Sequence, residues 1–231
     1  MIRLVLTLLL LPFSAQASGM LDKGFTAKYD VSIKSMYIGV ATRQLTVKNS
    51  QLIFTSIAEP KGLAKLFISD TVSETSVMEY SEDTIHSINY RYQQTGGKEE
   101  INDNVSFNKE SNLIKLTHDN QQFPVSENDY DVLNFQLALM LELQKHHNKF
   151  TFNVANHRGF YTYHVNVEGK ETIHTPAGQF EVVKVNSIHS ETGRQFMLWC
   201  APKLDYLPVK LEYIKKKGGD VSKLELKSIT M

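Results

Sequence analysis

The chain contains eight histidines, and histidine is a common metal ligand, so metal binding is the first chemistry to consider. Zinc sites need three or four converging ligands, for which regular spacings on a strand or a helix are the usual signal. His146 and His147 are adjacent, so on a helix they point about 100° apart. His157 and His164 are seven residues apart and fall on opposite faces of an unbroken strand. The sequence therefore predicts neither a metal site nor a cofactor.

Acidic side chains offer a second chemistry, the hydrolysis of a glycosidic bond. It needs two carboxylates roughly 5–10 Å apart across a cleft, one of them with a raised pKa. Glu171 and Glu181, with Glu168 nearby, are candidates on neighbouring strands, although sheets contain such pairs routinely. The serines lack the G-x-S-x-G elbow, and no P-loop or dinucleotide fingerprint occurs. An envelope hydrolase that uses Glu171 with a nearby histidine remains an alternative, and the preferred function is non-catalytic.

Aromatic side chains on many strands favour binding over catalysis. Rings on the concave face of a curved sheet can bind acyl chains or sugar rings, and they are also common core residues of strands. We expect most of them to be core and the rest, with two residues of a helix, to bind an apolar or amphipathic ligand, a lipid or an envelope polymer. The candidate ligand-binding residues are Tyr90, Tyr92, Tyr161, Tyr163, Phe196, Trp199, Leu137 and Met140.

Strands must position most of these residues, because apolar and polar side chains alternate along almost the whole chain. From Phe25 to Ile33 every second residue is apolar, the period of a strand with one wet face. Gly39 lies inside such a pattern, where glycine favours a bulge or a close approach of two backbones. Short polar turns such as Asn49-Ser50 separate the segments. The pattern predicts a meander of roughly a dozen antiparallel strands.

One segment has helical periodicity instead. Between residues 129 and 147 apolar residues recur at intervals of three and four, and Asp129 or Asp131 can cap the start. The sequence therefore predicts one amphipathic helix near 129–147. On this helix Leu137 and Met140 either plug the sheet or belong to a movable lid over a pocket.

The predicted fold is mainly β, an antiparallel curved sheet, half-barrel or barrel with this helix packed on or inside it. No linker, repeat or low-complexity tract divides residues 18–231, so we expect a single domain. The last strand, Val221 to Thr230, is the expected edge of the sheet. A structural or assembly factor that pairs through this edge is a third alternative function.

The first residues predict export to the periplasm. Residues 1–17 combine the positive charge of Arg3, an apolar run of about ten residues and a small-residue cleavage site that ends at Ala17. The run is far shorter than the roughly 20 residues that span a bilayer, so we do not expect a membrane-spanning protein. Cys200 is the only cysteine, which excludes an internal disulfide and a lipid anchor on a new N-terminal cysteine.

Charge excludes another class of partner. The chain has 25 basic and 25 acidic residues, and loss of Arg3 with the leader leaves 24 and 25. A nucleic-acid surface needs clustered lysine and arginine, and the run at residues 215–217 beside two glycines is typical of a solvated hairpin tip. We expect a monomer that does not bind nucleic acid.

Three motifs stand in order between residues 168 and 213. Thr-Pro-Ala-Gly at 175–178 is typical of a hairpin turn, and Trp-Cys-Ala-Pro at 199–202 and Leu-Pro-Val-Lys at 207–210 follow. With Phe180, this set of T-P-A-G-x-F, W-x-A-P and L-P-V-K signatures resembles a family of uncharacterised exported bacterial proteins, a domain of unknown function. The resemblance implies a β-rich exported protein, similar in kind to the lipoprotein carriers of the periplasm, curved sheets that cover an apolar cavity with helices. It implies no activity.

Overall fold

The computed structural model describes residues 19–48, 51–81, 84–214 and 221–231. These residues form two α-helices, α1 Met20–Lys23 and α2 Phe135–Gln144, two 3₁₀ segments, Gly62–Leu66 and Pro202–Leu204, and fifteen strands. The strands are β1 Phe25–Ile33, β2 Met36–Lys48, β3 Gln51–Pro60, β4 Thr71–Ser81, β5 Thr84–Thr95, β6 Ile101–Asn108, β7 Leu113–Leu116, β8 Gln122–Pro124, β9 Asp129–Asp131, β10 Lys149–Asn156, β11 Gly159–Thr175, β12 Gly178–His189, β13 Gln195–Ala201, β14 Leu207–Ile214 and β15 Val221–Thr230.

All of these strands lie in one sheet with the order β8 to β1 followed by β15 back to β9. The sheet thus consists of two meanders that are joined where the first strand pairs with the last, with Ala27 opposite Ile229. Every neighbouring pair is antiparallel except β9 and β10, which run parallel. The sheet is curved and is not closed into a barrel.

The expectation that Val221–Thr230 forms the edge of the sheet is wrong. This strand, β15, is paired with β1 along nearly its whole length and with β14 over residues 221–225, and the carbonyl of Leu226 accepts from Ala177, so the strand lies in the middle of the sheet order. The two ends of the strand order are β8 and β9, each three residues long. Short edges of this kind offer little backbone to a partner strand, so a sheet-edge assembly role loses its basis.

Helix α2 lies within the curve of the sheet, which confirms the predicted mainly β fold with a helix packed inside it. Eight of its ten residues are buried. The helix is shorter than the predicted 129–147, because Asp129–Asp131 forms the edge strand β9. It is also buried on nearly every side rather than amphipathic, since the sheet surrounds it and even the polar Gln136 is buried.

Two glycines lie where the sequence predicts a close backbone contact and a hairpin turn, Gly39 and Gly178. A Cβ at Gly39 would lie 2.1 Å from the carbonyl oxygen of Glu59, so the two backbones approach closely there. In the Thr-Pro-Ala-Gly hairpin, Thr175 pairs with Gly178, whose φ is 128°. The N–H of Ala177 in this turn donates to the carbonyl of Leu226, 2.9 Å away. The hairpin motif therefore anchors the turn to the centre of the sheet.

Some expectations fall on residues outside the described ranges: the export segment 1–17, the turn at residues 49–50 and the basic run 215–217. Within those ranges no helix has both the length and the apolar character needed to cross a membrane. Cys200 is a free, buried thiol, and burial raises its pKa above the usual range.

Candidate functional site

A buried polar network holds the start of α2 to the sheet. The Asp131 carboxylate accepts hydrogen bonds from the backbone N–H groups of Leu133 and Asn134, at 2.9 and 2.8 Å. It also accepts one from the hydroxyl of Ser76 on β4, at 2.5 Å. The side-chain amide of Asn134 donates to Ser87 Oγ on β5, at 2.9 Å. Two strands therefore fix the point at which the helix begins.

Arg43 on β2 reaches the first turn of the helix from another side. Its Nη1 donates to Gln136 Oε1, and its guanidinium carbon lies 5.3 Å from the ring centroid of Tyr29. The Tyr29 hydroxyl donates to the carbonyl of Pro208 at 3.0 Å, and burial raises the pKa of this tyrosine to about 12. The first turn of α2 is thus held by β2 as well as by β4 and β5.

Two acids with raised pKa values lie in this network, Glu74 and Asp131. The Tyr90 hydroxyl donates to Glu74 Oε1 at 2.6 Å, and burial raises the pKa of both groups. Burial also raises the pKa of Asp131 to about 7, against the opposing effect of its hydrogen bonds. Perturbed acids often mark functional sites. Here Tyr90 and Asp131 are completely buried, so the arrangement is a structural clamp rather than a site that a substrate can enter.

A cavity of about 410 Å³ lies between the adjoining ends of β4 and β5, at Ser81 and Thr84, and the C-terminal half of α2. Apolar side chains form one part of its wall: Ile85, Tyr130, Ala138 and Leu141. Polar and charged side chains form the rest: Ser81, Thr84, His86, Glu127, Asn128, Glu142 and Lys145. The cavity is therefore amphipathic.

A second cavity of about 300 Å³ borders the end of the same helix. Its lining includes Leu143, His146, Val167, Val183 and Tyr206. The C-terminal half of α2 thus has a cavity on two sides, whereas the N-terminal end is clamped by three strands. At the C-terminal end of α2, Gln144 Nε2 donates a hydrogen bond of 3.3 Å to the carbonyl of Asp205.

Three of the eight candidate ligand-binding residues lie together. Tyr161 and Tyr163 have ring centroids 4.7 and 5.2 Å from His189, and the rings of Tyr163 and Phe196 are 5.9 Å apart. Phe196 also lies 6.3 Å from Phe135 of α2, which places this cluster on the concave side of the sheet. Burial raises the pKa of Tyr163 to about 12. The cluster is part of the wall against which the helix packs.

Four other candidates are separate from that cluster. Leu137, Met140 and Tyr90 are completely buried core residues, and none of them lines either of the two cavities beside α2. Tyr92 is half-buried and stacks on His157 with centroids 3.9 Å apart. Burial, with Arg158 nearby, lowers the pKa of His157 to about 4.

Trp199 lies on the other face of the sheet, contrary to its expected place on the concave side. It follows Phe196 by three residues on β13, and an odd interval along a strand reverses the face. Its indole N–H donates to Glu171 Oε1 at 2.6 Å, and the Lys210 ammonium lies 4.0 Å from its ring centroid. These contacts give Trp199 a structural role on the convex face.

The proposed pair of catalytic carboxylates does not assemble. Glu171 is opposite Val182, and Glu181 is opposite Thr172, so the two acids point to opposite faces of one hairpin. His174 and His189, which flank this hairpin, pair with Gln179 and Tyr163 and not with each other. Glu171 instead accepts the indole hydrogen bond. The pairing of Glu171 with Glu181 as two catalytic carboxylates is therefore wrong in its geometry.

A glutamate–histidine contact does occur at the end of α2. His147 Nδ1 lies 2.6 Å from Glu142 Oε2. Partial burial opposes ionisation of Glu142, but hydrogen bonds from His147 and Lys145 outweigh it and lower the pKa of the carboxyl. A carboxyl held ionised is a poor general acid. In the part of the chain that the structure describes, no three acidic, histidine or cysteine side chains converge as metal ligands.

Comparison with known proteins places the chain in a family. Residues 28–227 match the family described as Protein of unknown function (DUF3108). The chain belongs to the DUF3108 family. The match contains all three motifs on which the resemblance to uncharacterised exported bacterial proteins rests, and it confirms that resemblance. No curated protein matches this DUF3108 chain in sequence.

Solved structures give similarities of fold. A beta-barrel-like protein of the DUF1849 domain of unknown function from Brucella abortus is 7% identical, with a TM-score of 0.57 over 89% of this chain and 96% of that chain. MucB is 10% identical, with a TM-score of 0.38 over 92% of this chain and 55% of that chain. A protein with a YmcC-like fold from Bacteroides fragilis is 11% identical, with a TM-score of 0.38 over 90% and 96%. The first likeness shows a shared fold.

The polar clamp of this DUF3108 chain escaped sequence analysis, although a signal for it exists. Arg43 lies between Ala41 and Leu45 at the parity of buried residues on β2, and Glu74 has the parity of the buried Ser76 on β4. A charged residue at a buried position of an alternating strand indicates a partner inside the fold. Such positions could have been marked, but their partners on α2 could not.

Proposed function

We propose that this DUF3108 protein acts in the periplasm, after removal of residues 1–17, as a monomeric, non-catalytic protein that binds one amphipathic envelope molecule. The observation that carries the proposal is the 410 Å³ cavity between β5 and α2. Ligand pockets are typically about 300–1,000 Å³, mostly apolar and supplied with a few polar groups that orient the ligand. The volume of the cavity falls within this range, and its wall combines an apolar patch with a larger share of polar groups than is typical.

The two parts of the wall suggest how the ligand lies. Ile85, Ala138 and Leu141 give an apolar surface for a hydrocarbon segment. His86 and Lys145 lie at the rim and can contact an acidic or polar headgroup. Lys145 is exposed, and its ammonium is bonded to Glu142 at 3.2 Å. This arrangement fits a molecule with one acyl-type chain and a polar end.

Helix α2 contributes through the contrast between its two ends. Its first turn is tied by Asn134 and Gln136 to strands on the sheet, whereas its second half borders two cavities. A chain that enters the first cavity would push the C-terminal half toward the second, with the clamp as a pivot. Leu137 and Met140 then back the ligand from the core instead of touching it.

The proposal is tested by ligand binding with a blocked cavity. The wild-type protein, produced from Ser18 onward, is titrated with dansyl-labelled undecanoic acid and is also examined by native mass spectrometry after incubation with an envelope lipid extract. Ser81→Trp places a large side chain at the exposed rim and should weaken probe binding by about tenfold or more. Glu181→Trp, an exposed substitution outside the cavity lining, is the matched control and should leave binding unchanged.

Two results would overturn this function. One is a wild-type protein that binds neither the probe nor any lipid of the extract. The other is a probe affinity that Ser81→Trp and Glu181→Trp leave equally unaffected. Export is tested separately by cell fractionation and N-terminal sequencing, for which the expected first residue is Ser18 and the expected fraction is the periplasm.

A further inference from the structure

The connection between β3 and β4 carries three strongly exposed apolar side chains. They belong to the 3₁₀ segment Gly62–Leu66 and the residue after it, and their exposed fractions are 80% for Leu63, 75% for Leu66 and 87% for Phe67. Single exposed apolar residues are normal on a protein surface, but a cluster on one turn marks an interaction surface.

Backbone hydrogen bonds hold this turn in a defined shape. The N–H of Phe67 donates to the carbonyl of Ala64, and the N–H of Lys61 donates to the carbonyl of Ile38 on β2, both at 3.0 Å. Leu63 and Leu66 are three residues apart, and side chains at this interval eclipse in a 3₁₀-helix. The two leucines are therefore presented on one side, with Phe67 next to them.

The neighbouring turn between β1 and β2 extends the apolar surface. Met36 and Tyr37, the first two residues of β2 after this turn, are 68% and 49% exposed. They precede Ile38, whose carbonyl accepts the hydrogen bond from Lys61, the residue before the 3₁₀ segment. We call residues 34–37 and 59–67 together the apolar tip. The tip thus consists of the turn between β1 and β2, the adjoining ends of β2 and β3, and the start of the connection to β4.

The charge of the tip is positive. It contains three lysines, at positions 34, 61 and 65, and one acid, Glu59. Lys61 binds Glu59 at 2.8 Å, and Lys65 is exposed within the apolar segment itself. The next acid along the chain, Asp70, is packed against Gly97 and so lies outside the tip. The net charge of the tip is +2.

We propose that the apolar tip docks on an anionic lipid bilayer, with Leu63, Leu66 and Phe67 inserted at the boundary of headgroups and acyl chains. Apolar side chains combined with lysines that reach the lipid phosphates give peripheral binding of this kind. A stable protein partner typically needs about 20–30 residues a side. A small tip with three strongly exposed apolar side chains suits the soft surface of a bilayer better.

The inference goes beyond the proposed function and does not depend on it. The tip belongs to β1–β4 connections, whereas the cavity lies between β5 and α2. Docking would hold the molecule at the membrane surface where amphipathic molecules are found. Failure of one proposal leaves the other standing, because each test changes different residues.

Vesicle binding tests the tip. The chain from Ser18 onward is sedimented with vesicles of phosphatidylglycerol and phosphatidylethanolamine, and with vesicles of phosphatidylcholine alone. The double substitution Leu66→Ser with Phe67→Ser should lower partitioning to the anionic vesicles by about tenfold or more, since it removes two inserted side chains. Val47→Ser is the matched control, because Val47 is an exposed apolar residue about 26 Å along β2 from Gly39.

Charge and depth are measured with two further variants. Lys65→Ala should lower binding about fivefold on the anionic vesicles and leave binding to phosphatidylcholine unchanged. A tryptophan at the tip, Phe67→Trp, should shift its emission to the blue when anionic vesicles are added, whereas Val47→Trp should not. A wild-type protein that stays in the supernatant with both vesicle types would overturn the proposal. So would sedimentation that the double substitution does not reduce.

Discussion

Asp131 is the residue at which burial and hydrogen bonding oppose each other most directly. Three groups donate to its carboxylate, which favours the ionised form, but complete burial outweighs them and raises its pKa to about 7. In the unfolded chain the pKa of an aspartate is about 3.9. The folded protein therefore holds a proton between pH 4 and 7 that the unfolded chain has lost, and its stability falls as the pH rises through this range.

The first prediction concerns this slope. Asp131→Asn keeps an acceptor for the two N–H donors and offers a donor to Ser76, but it cannot ionise. The loss of stability of the wild type between pH 4 and 7 should exceed that of the variant by on the order of 3 kcal/mol. Urea unfolding at several pH values measures the difference, and parallel curves for the two proteins would contradict it.

The second prediction at the residue scale concerns Glu171, which the sequence suggested as a catalytic acid. Its structural partner is the buried indole of Trp199. Glu171→Ala should lower the free energy of unfolding by about 1 kcal/mol, because Glu171 is exposed and water replaces part of the bond. Glu171→Gln keeps an acceptor and should stay within about 0.5 kcal/mol of the wild type. Trp199 is the only tryptophan, so its fluorescence reports unfolding directly.

The two residues also show where sequence reasoning ends. Alternation along β11 and β12 predicted that Glu171 and Glu181 occupy neighbouring strands, and they do. The faces to which the two side chains point depend on the register of the hairpin, which places Glu171 opposite Val182. Register is set by the turn and by contacts across the sheet, and these were not visible in the spacing of the two acids.

At the scale of the element, helix α2 decides how the interior is filled. Met140 is completely buried, so Met140→Ala should lower the free energy of unfolding by about 2–5 kcal/mol. Gln144→Ala, four residues on and exposed, is the control on the same helix and should change it by less than about 0.5 kcal/mol. Chemical denaturation of both variants measures the contrast. Equal small losses would show that the helix is a loosely held lid rather than a plug.

The sequence predicted the helix but not its surroundings. Intervals of three and four between apolar residues are a local property of the sequence, so they predicted a helix around Leu137 and Met140. The burial of Gln136 and the polar clamp arise from strands that are 47 to 93 residues away in the chain, as the contacts of Ser87 and Arg43 show. The helix thus looked amphipathic in isolation, although the sheet covers it on nearly every side.

At the scale of the whole molecule, the pairing of β1 with β15 explains both the shape of the sheet and the error about its edge. Turns specify which consecutive strands pair, so the two meanders were predictable. The pairing that joins them connects the beginning of the described chain to its end, and no turn encodes it. Contacts between the two halves then complete the curve, among them Tyr92 with His157 and Phe123 with Phe160.

His157 makes this contact between the two halves of the sheet sensitive to pH. Burial lowers its pKa to about 4, whereas the unfolded chain has a value near 6.5. Between these values the unfolded chain binds a proton that the folded protein does not, so stability is lost as the pH falls from 6.5 toward 4. His157→Phe keeps a ring to stack on Tyr92 and removes the titration. The variant should lose less stability over this range, by on the order of 1 kcal/mol after allowance for solvent exposure.

The two titrations oppose each other, and this sets the pH response of the molecule. Rising pH costs stability at Asp131 in the helix clamp and restores it at His157 where the halves meet. Burial also raises the pKa of Glu74, and the charge of Glu74 adds to the raised pKa of Asp131, so the two acids contribute a slope of the same sign. Between pH 4 and 7, the slope of the free energy of unfolding against pH should therefore be more positive in Asp131→Asn than in the wild type, and more negative in His157→Phe. If the two sites are independent, the change of slope in the double variant should equal the sum of the two single changes, which have opposite signs. A departure from that sum larger than about 0.5 kcal/mol would show that the clamp and the closure are energetically coupled through α2.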